Sequence, residues 1–249
     1  MQRKIFVVTA AYGYEHIQAA GGQKALLPVI AKSGADGVEI RRELFTSTDL
    51  LALAELGLAI EHAGLQACYS APEPLFIENG DLNPQLPQLL QEAKDLKSLW
   101  LKVSLGHFGR PDQLNTLRDW LASSDMALVV ENDQTPCGRL QPMLRFKEIC
   151  QQFELPVKLT FDMGNWLWVG NSPEEAAYQL ANSVGYIHVK AALPHKESFR
   201  AVPPDNADSR WLKLLAILPA DVPRGIEFPL EGADLAAVTR RYVDLLRKE

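Results

Sequence analysis

Cysteine is scarce in this chain. There are three in 249 residues, Cys68, Cys137 and Cys150, an odd number without a CxxC spacing. That argues against a disulfide framework and a thiolate zinc site, and unpaired thiols fit a reducing, cytoplasmic compartment. Long apolar runs are missing as well, since nothing approaches the roughly 18 residues that a membrane-spanning helix needs. Positive charge is in deficit: 25 Lys and Arg stand against 31 Asp and Glu, for a net charge of −6, and no basic run stands out beyond Arg41-Arg42 and Arg240-Arg241. Such a balance gives no electrostatic footprint for nucleic acid. Neither nucleic acid nor membrane is therefore expected as a partner. The first ten residues, MQRKIFVVTA, are cationic and apolar like a leader, but the apolar part is too short. Tyr12, Tyr14, Glu15 and His16 stand where a cleavage region would lie, so the stretch reads as a first strand.

Low-complexity tracts and Pro/Gly-rich linkers are also absent, and strand and helix signals alternate from end to end. Short runs of branched residues mark strands at Ile5–Ala10, Gly37–Arg41, Gln66–Ser70, Leu99–Leu105, Met126–Glu131, Val157–Asp162, Tyr186–Lys190 and Gly225–Phe228. Helical patterns cover Gln23–Ser33, Thr48–Ala63, Asn83–Leu96, Asp112–Ser123, Leu140–Phe153, Pro173–Ser183, Ser209–Ile217 and Ala233–Lys248. Ser172 before Pro173, and Ser47 or Thr48 before Asp49, are expected caps. Eight strands alternating with eight helices predict a single (β/α)₈ TIM barrel, one domain over residues 1–249. An open doubly wound sheet would share the alternation, but Ala10-Ala11-Tyr12-Gly13 after the first strand is no GxGxxG. Ala191–Asp208 reads as a long loop after the seventh strand, on the face where such barrels carry function.

At the C-terminal strand ends stand Glu131, Asp162, His188 and Glu227. Their spacings of 31, 26 and 39 residues each match one strand–helix unit, with the long seventh loop in the last. Four adjacent strands would thus converge these groups on one point. A lone strand-end Glu is usually solvated or ion-paired, and a lone His is usually a satisfied core residue, but four in register are hard to explain so. Three carboxylates and an imidazole suit one divalent metal ion, Mn²⁺ first, with Mg²⁺, Co²⁺ or Zn²⁺ as alternatives.

The stretches GADGVEIRRELF (34–45), ALVVEN (127–132), FDMGN (161–165), YIHVK (186–190) and GIEFPLEG (225–232) resemble, in order and spacing, the sugar-phosphate isomerase/epimerase family of the xylose-isomerase-like TIM-barrel superfamily. Within it the chain is most similar to the epimerase-like proteins associated with 2-ketogluconate utilisation. The resemblance covers nearly the whole chain. It implies that Glu131, Asp162, His188 and Glu227 bind the metal, and that Glu131 and Glu227 form the catalytic pair exchanging a proton through a metal-stabilised enediolate. A sugar or keto-sugar acid is the implied substrate. Two positions depart from the family: Asn165 replaces the His of Asp-x-x-His, and Ala191 replaces the Asp of His-x-Lys-Asp. Asn165 could bond a hydroxyl but cannot shuttle a proton.

Further candidates for substrate contact are Glu39, Lys102, His107, Asn165, Trp166 and Lys190. Glu39 ends the second strand and could bind a hydroxyl, orient a neighbour or pair with Arg41 or Arg42. Lys102 and Lys190 could neutralise a carboxylate, phosphate or enediolate oxygen. For Lys102 that requires Trp100, Lys102 and Ser104, one face of the fourth strand, to point inward. His107 lies in the loop beyond that strand, where a surface histidine is the competing reading, and Arg200 could anchor an acidic group. Trp166, Trp168, Phe76 and Tyr69 could stack on a sugar. They could equally pack loops or form an apolar face that would make the protein a homodimer. Dehydration, aldose–ketose isomerisation and a non-catalytic sugar-binding barrel remain open. A DNA-repair endonuclease of the superfamily is disfavoured by five histidines and the negative net charge.

Overall fold

Branched residues buried on both faces pair in parallel at the centre of the molecule. The computed structural model describes residues 3–249; the first two residues of the expected domain lie outside those described. Seven strands run Ile5–Val8 (β1), Gly37–Arg41 (β2), Gln66–Phe76 (β3), Ser98–Gly106 (β4), Ala127–Glu131 (β5), Val157–Asp162 (β6) and Val184–Val189 (β7). An antiparallel hairpin, Ala191–His195 (β8) and Ser198–Val202 (β9), precedes the last barrel strand, Arg224–Ile226 (β10). β10 pairs with both β7 and β1, and the barrel closes in the order β1-β10-β7-β6-β5-β4-β3-β2. The fold is a (β/α)₈ TIM barrel, as the alternation requires.

The surrounding helices follow their apolar periodicity. Leu86–Asp95 buries Leu86, Leu89, Leu90 and Ala93, and Leu235–Lys248 buries Ala236, Thr239, Tyr242, Val243 and Leu246 along one stripe. Ser172 caps Pro173–Leu180 by accepting from Glu175 N–H, as expected. Before Asp49 the cap is Thr46 rather than Ser47 or Thr48, in a reciprocal capping box. The helix expected over 23–33 begins as a 3₁₀ turn and becomes α-helical only at Leu27–Lys32, where Pro28 occupies the first turn. The helix expected over 48–63 is split into Ser47–Leu50 and Leu53–His62.

Three features near the C-terminal face differ from the sequence reading. β3 runs on to Phe76 through a register break between Ser70 and Pro74, where Pro72 and Pro74 withhold ladder donors. Strand pairing on the last barrel strand stops at Ile226, before Glu227. Ala191–Asp208 is no irregular loop but carries the hairpin, whose turn holds Lys196 at φ 53°. No Asn-Gly or Asp-Gly marks that turn, so the usual hairpin signal is missing. Phe199 of β9 packs against Trp168 at 5.5 Å between ring centroids, fixing the hairpin beside the β6 loop. No helix among the described residues is long and apolar enough to cross a membrane.

Arg210, at the start of helix Arg210–Ile217, grips Glu174 with two bonds of 2.5 and 2.7 Å. These bonds hold the Glu174 carboxyl down at about 2, well below its usual range. A carboxyl depressed in the fold stabilises it above the ordinary carboxylate pKa and loses that contribution as pH falls through about 2. Both side chains are about a third exposed, at 39% and 32%, so screening keeps the contribution small. Arg210→Met is expected to lower Tm at pH 7 by about 1–3 °C. The deficit should shrink as pH is lowered from 5 towards 2, which thermal melts followed by circular dichroism would show; a pH-independent deficit would contradict the pairing.

Candidate metal centre

Barrel register brings four ionisable ends together. Glu131, last in β5, pairs with Thr160; Asp162, last in β6, lies opposite His188 of β7. Glu227 follows β10, and its N–H donates to Val189 O at 3.2 Å. One ligand atom from each of Glu131, Asp162, His188 and Glu227 lies within 4.8 Å of the others, the one such group among the described residues.

Asp162 is aimed by its own turn. Its Oδ1 accepts from the N–H groups of Gly164 and Asn165, both at 2.9 Å, which leaves Oδ2 for the centre. Asn132, fully buried, donates to Asp162 O and accepts from Asp162 N–H, so its amide extends the β5–β6 ladder past Glu131. Around His188 Nδ1 lie Glu131 Oε1 at 2.8 Å, Glu227 Oε2 at 3.1 Å and Asp162 Oδ2 at 3.8 Å. Nδ1 and Glu131 Oε1 are buried without a hydrogen-bond partner, and Asp162 Oδ2, also buried, has the Lys190 ammonium 2.7 Å away. Donor atoms about 2.0–2.2 Å from one cation stand roughly 3.0–3.4 Å apart, and these gaps of 2.8, 3.1 and 3.8 Å bracket that spacing. The donor set, three carboxylate oxygens and one imidazole nitrogen, could hold one divalent ion.

Three cations border the carboxylates. Lys102, inward on β4, donates to Glu131 Oε2 at 2.6 Å and lies 3.5 Å from Glu39. Lys190 donates to Glu227 Oε2 at 2.8 Å and lies 2.7 Å from Asp162 Oδ2. Its stem crosses Gly164, where a Cβ would come within 3.0 Å of it. Arg41 reaches Glu227 Oε1 at 3.1 Å and Glu39 at 3.6 Å. Burial opposes ionisation of Glu131, but Lys102 and His188 outweigh it and bring the carboxyl down to about 2. Glu227 is likewise carried well below the usual range, against burial, by His188 and Lys190. Asp162 moves the other way, raised by burial and by Glu227 despite Lys190. Burial also opposes a charge on His188, yet Glu227, Glu39 and Glu131 push its imidazole well upward. A bound cation would displace that proton.

The remaining expected residues divide. Lys102 and Lys190 stand at the centre. Glu39 does not line a substrate surface: it is fully buried behind His188, so the orienting role fits and the hydroxyl-binding role does not. Asn165 is committed at both ends, donating to Asn132 O and accepting from Gln134, and it braces two loops. Trp166 is fully buried against Phe161, whereas Trp168 is partly exposed with Lys190 Nζ 6.0 Å above its ring. Tyr69 and Phe76 are core residues, and Tyr69 donates to Glu92. His107, in the loop after β4, and Arg200, on β9 of the hairpin, are both exposed and outside the cluster. Sequence reasoning missed Asn132, Tyr186 and Arg41 as members of the site. Arg41 could have been found, since it lies two residues after Glu39 on one strand and so shares its inward face.

Between the end of β1, the hairpin and the segment after β10 lies a cavity of about 340 Å³, with Tyr12, Ala201, Glu227, Phe228 and Glu231 on its wall. Glu227 and Glu131 are the exposed ligands, at 17% and 13%, while Asp162 and His188 are sealed.

No family model and no curated protein sequence matches the chain. Solved structures match all of it. The chain is similar to a xylose isomerase domain containing protein from Salmonella typhimurium LT2, at TM-score 0.74 and 15% identity over 99% of this chain and 98% of that one. It is also similar to 3-keto-D-glucoside 4-epimerase from E. coli in its apo form, at TM-score 0.65 and 17% identity over 100% of both chains. The IolI protein with a bound zinc atom matches at TM-score 0.71 and 15% identity over 98% of each. These structures share the chain's closed (β/α)₈ barrel fold.

Asp162→Ala and His188→Ala are each expected to weaken Mn²⁺ binding beyond the roughly 10–100-fold that an outer-shell change costs, with the fold retained. Chelator competition measures this, and an unchanged Kd would remove that residue from the ligand set.

Proposed function

We propose that the protein is a divalent-metal-dependent isomerase or epimerase of a sugar or keto-sugar acid, working by proton transfer at the carbon beside a carbonyl. The observation that carries this is the division of labour among four converging ligands: two sealed, and two carboxylates, Glu131 and Glu227, still open to solvent. A cation held there would supply Lewis-acid polarisation of the substrate carbonyl. Glu131 comes from β5 and Glu227 from beyond β10, with β6 and β7 between them, so the two carboxylates approach the centre from separated strands. That placement suits removal of a proton by one and its return by the other. Lys102, Lys190 and Arg41 hold both groups ionised and oriented. Four carboxylates, counting Glu39, face three permanent cations. A divalent ion would leave this shell with a surplus positive charge, which favours a substrate that carries or develops negative charge. Similarity in fold to a 3-keto-D-glucoside 4-epimerase adds support.

Incubation of Mn²⁺-loaded protein with ketoses and 2-ketoaldonates in D₂O should give deuterium at a carbon beside the carbonyl. Glu131→Gln and Glu227→Gln should each cut that exchange by about 10²–10⁴-fold. Near-normal exchange in both variants would refute the acid/base pair, and tight binding without exchange in the wild type would make the protein a binding module.

A further inference from the structure

Glu39 is a fully buried carboxylate for which the proton-transfer chemistry has no use. It sits behind His188, on the side away from the ligand oxygens. Its Oε2 lies 2.7 Å from His188 Nε2 and accepts from the Tyr186 hydroxyl at 3.0 Å. Lys102 at 3.5 Å and Arg41 at 3.6 Å flank its other oxygen. Tyr186 also packs edge-on against the imidazole, with ring centroids 4.9 Å apart. Gly225 makes room for this arrangement, because a Cβ there would lie 2.3 Å from the Tyr186 hydroxyl and 3.0 Å from His188 Cδ2.

A neutral imidazole has one N–H for two nitrogens, and a carboxylate can only accept. With Glu39 at Nε2, the proton belongs on Nε2 and the Nδ1 lone pair faces Glu131, Asp162 and Glu227. A lone pair turned toward three carboxylates is repulsive unless a proton or a cation lies among them, and a bound cation would take the proton's place. We infer that Glu39 is a positioning residue: it fixes the tautomer and ring plane of His188 so that Nδ1 is presented as a ligand to a divalent cation. Lys102 ties the two layers together, since it touches both Glu39 and the ligand Glu131. The inference rests on the metal-centre part of the proposed function and not on the reaction.

The test is Zn²⁺ binding by chelator competition for wild type, Glu39→Gln and Glu39→Leu, with ¹⁵N NMR of the histidine-labelled, Zn²⁺-loaded protein. Wild type should show His188 with a protonated Nε2 and a metal-bound Nδ1. Glu39→Leu removes the acceptor and should weaken Zn²⁺ binding by about 10–100-fold. Glu39→Gln removes the charge but keeps an acceptor at the same reach, and should recover most of that loss. Equal affinity in Glu39→Leu and wild type, or the opposite tautomer, would overturn the inference. So would a Gln variant as weak as the Leu variant, because charge alone would then explain the effect. If Glu39→Leu does not fold, the wild-type tautomer and the Gln variant decide. A wild type that binds Zn²⁺ but exchanges no substrate proton sinks the proposed reaction alone; one that binds no divalent ion sinks both.

Discussion

Crowding of like charges at one end of the barrel is the constraint from which the rest of the site follows. Two like charges about 4 Å apart at an effective dielectric of about 20 repel by roughly 4 kcal/mol. Glu39, Glu131, Asp162 and Glu227 meet around one imidazole, so several such repulsions would act together in a protein of ordinary marginal stability. Lys102 within β4, Arg41 at the end of β2 and Lys190 just after β7 offset them, and each touches more than one carboxylate. A fold that only needed to be stable would not assemble this cluster, because buried ion pairs replaced by apolar residues often leave stability unchanged or improved. Its retention points to chemistry.

Rigid backbone around the cluster supports that view. Asp162 has one oxygen consumed by two N–H groups of its own turn, and Asn132 stitches β5 to β6 one step beyond the regular ladder. Asn165 locks to Asn132 and Gln134, so both ends of its amide are engaged within the protein. An amide both donates and accepts, so it can bridge two loops that a neutral imidazole could satisfy only in one tautomer. Asn165 thus serves as a brace between the loops after β5 and β6.

Much of this was legible in the chain. Short branched runs mark the eight barrel strands, and their spacing puts Glu131, Asp162, His188 and Glu227 at neighbouring strand ends. What stayed hidden has specific causes. The hairpin lacks a turn dipeptide and takes its positive φ at Lys196. Trp166 and Trp168 look alike in sequence, but a helix of four residues, Asn165–Trp168, turns the first into the core and the second toward Lys190. The setting of Glu39 depends on Tyr186, 147 residues further along the chain, and on the room that Gly225 leaves for its hydroxyl. Local pattern carries no information on such contacts.

Glu39 also shows how the layers of the site depend on one another. Burial alone would raise its carboxyl, yet His188, Lys102 and Arg41 hold it down at about 2, so it is a fixed negative charge under ordinary conditions. A fixed acceptor beneath one imidazole nitrogen makes the other nitrogen's role independent of substrate and solvent. Lys102, shared between Glu39 and Glu131, then couples the carboxylate behind His188 to one in front of it. The second barrel strand therefore reaches the centre from behind, through the contact of Glu39 with the His188 nitrogen that faces away from the other three groups.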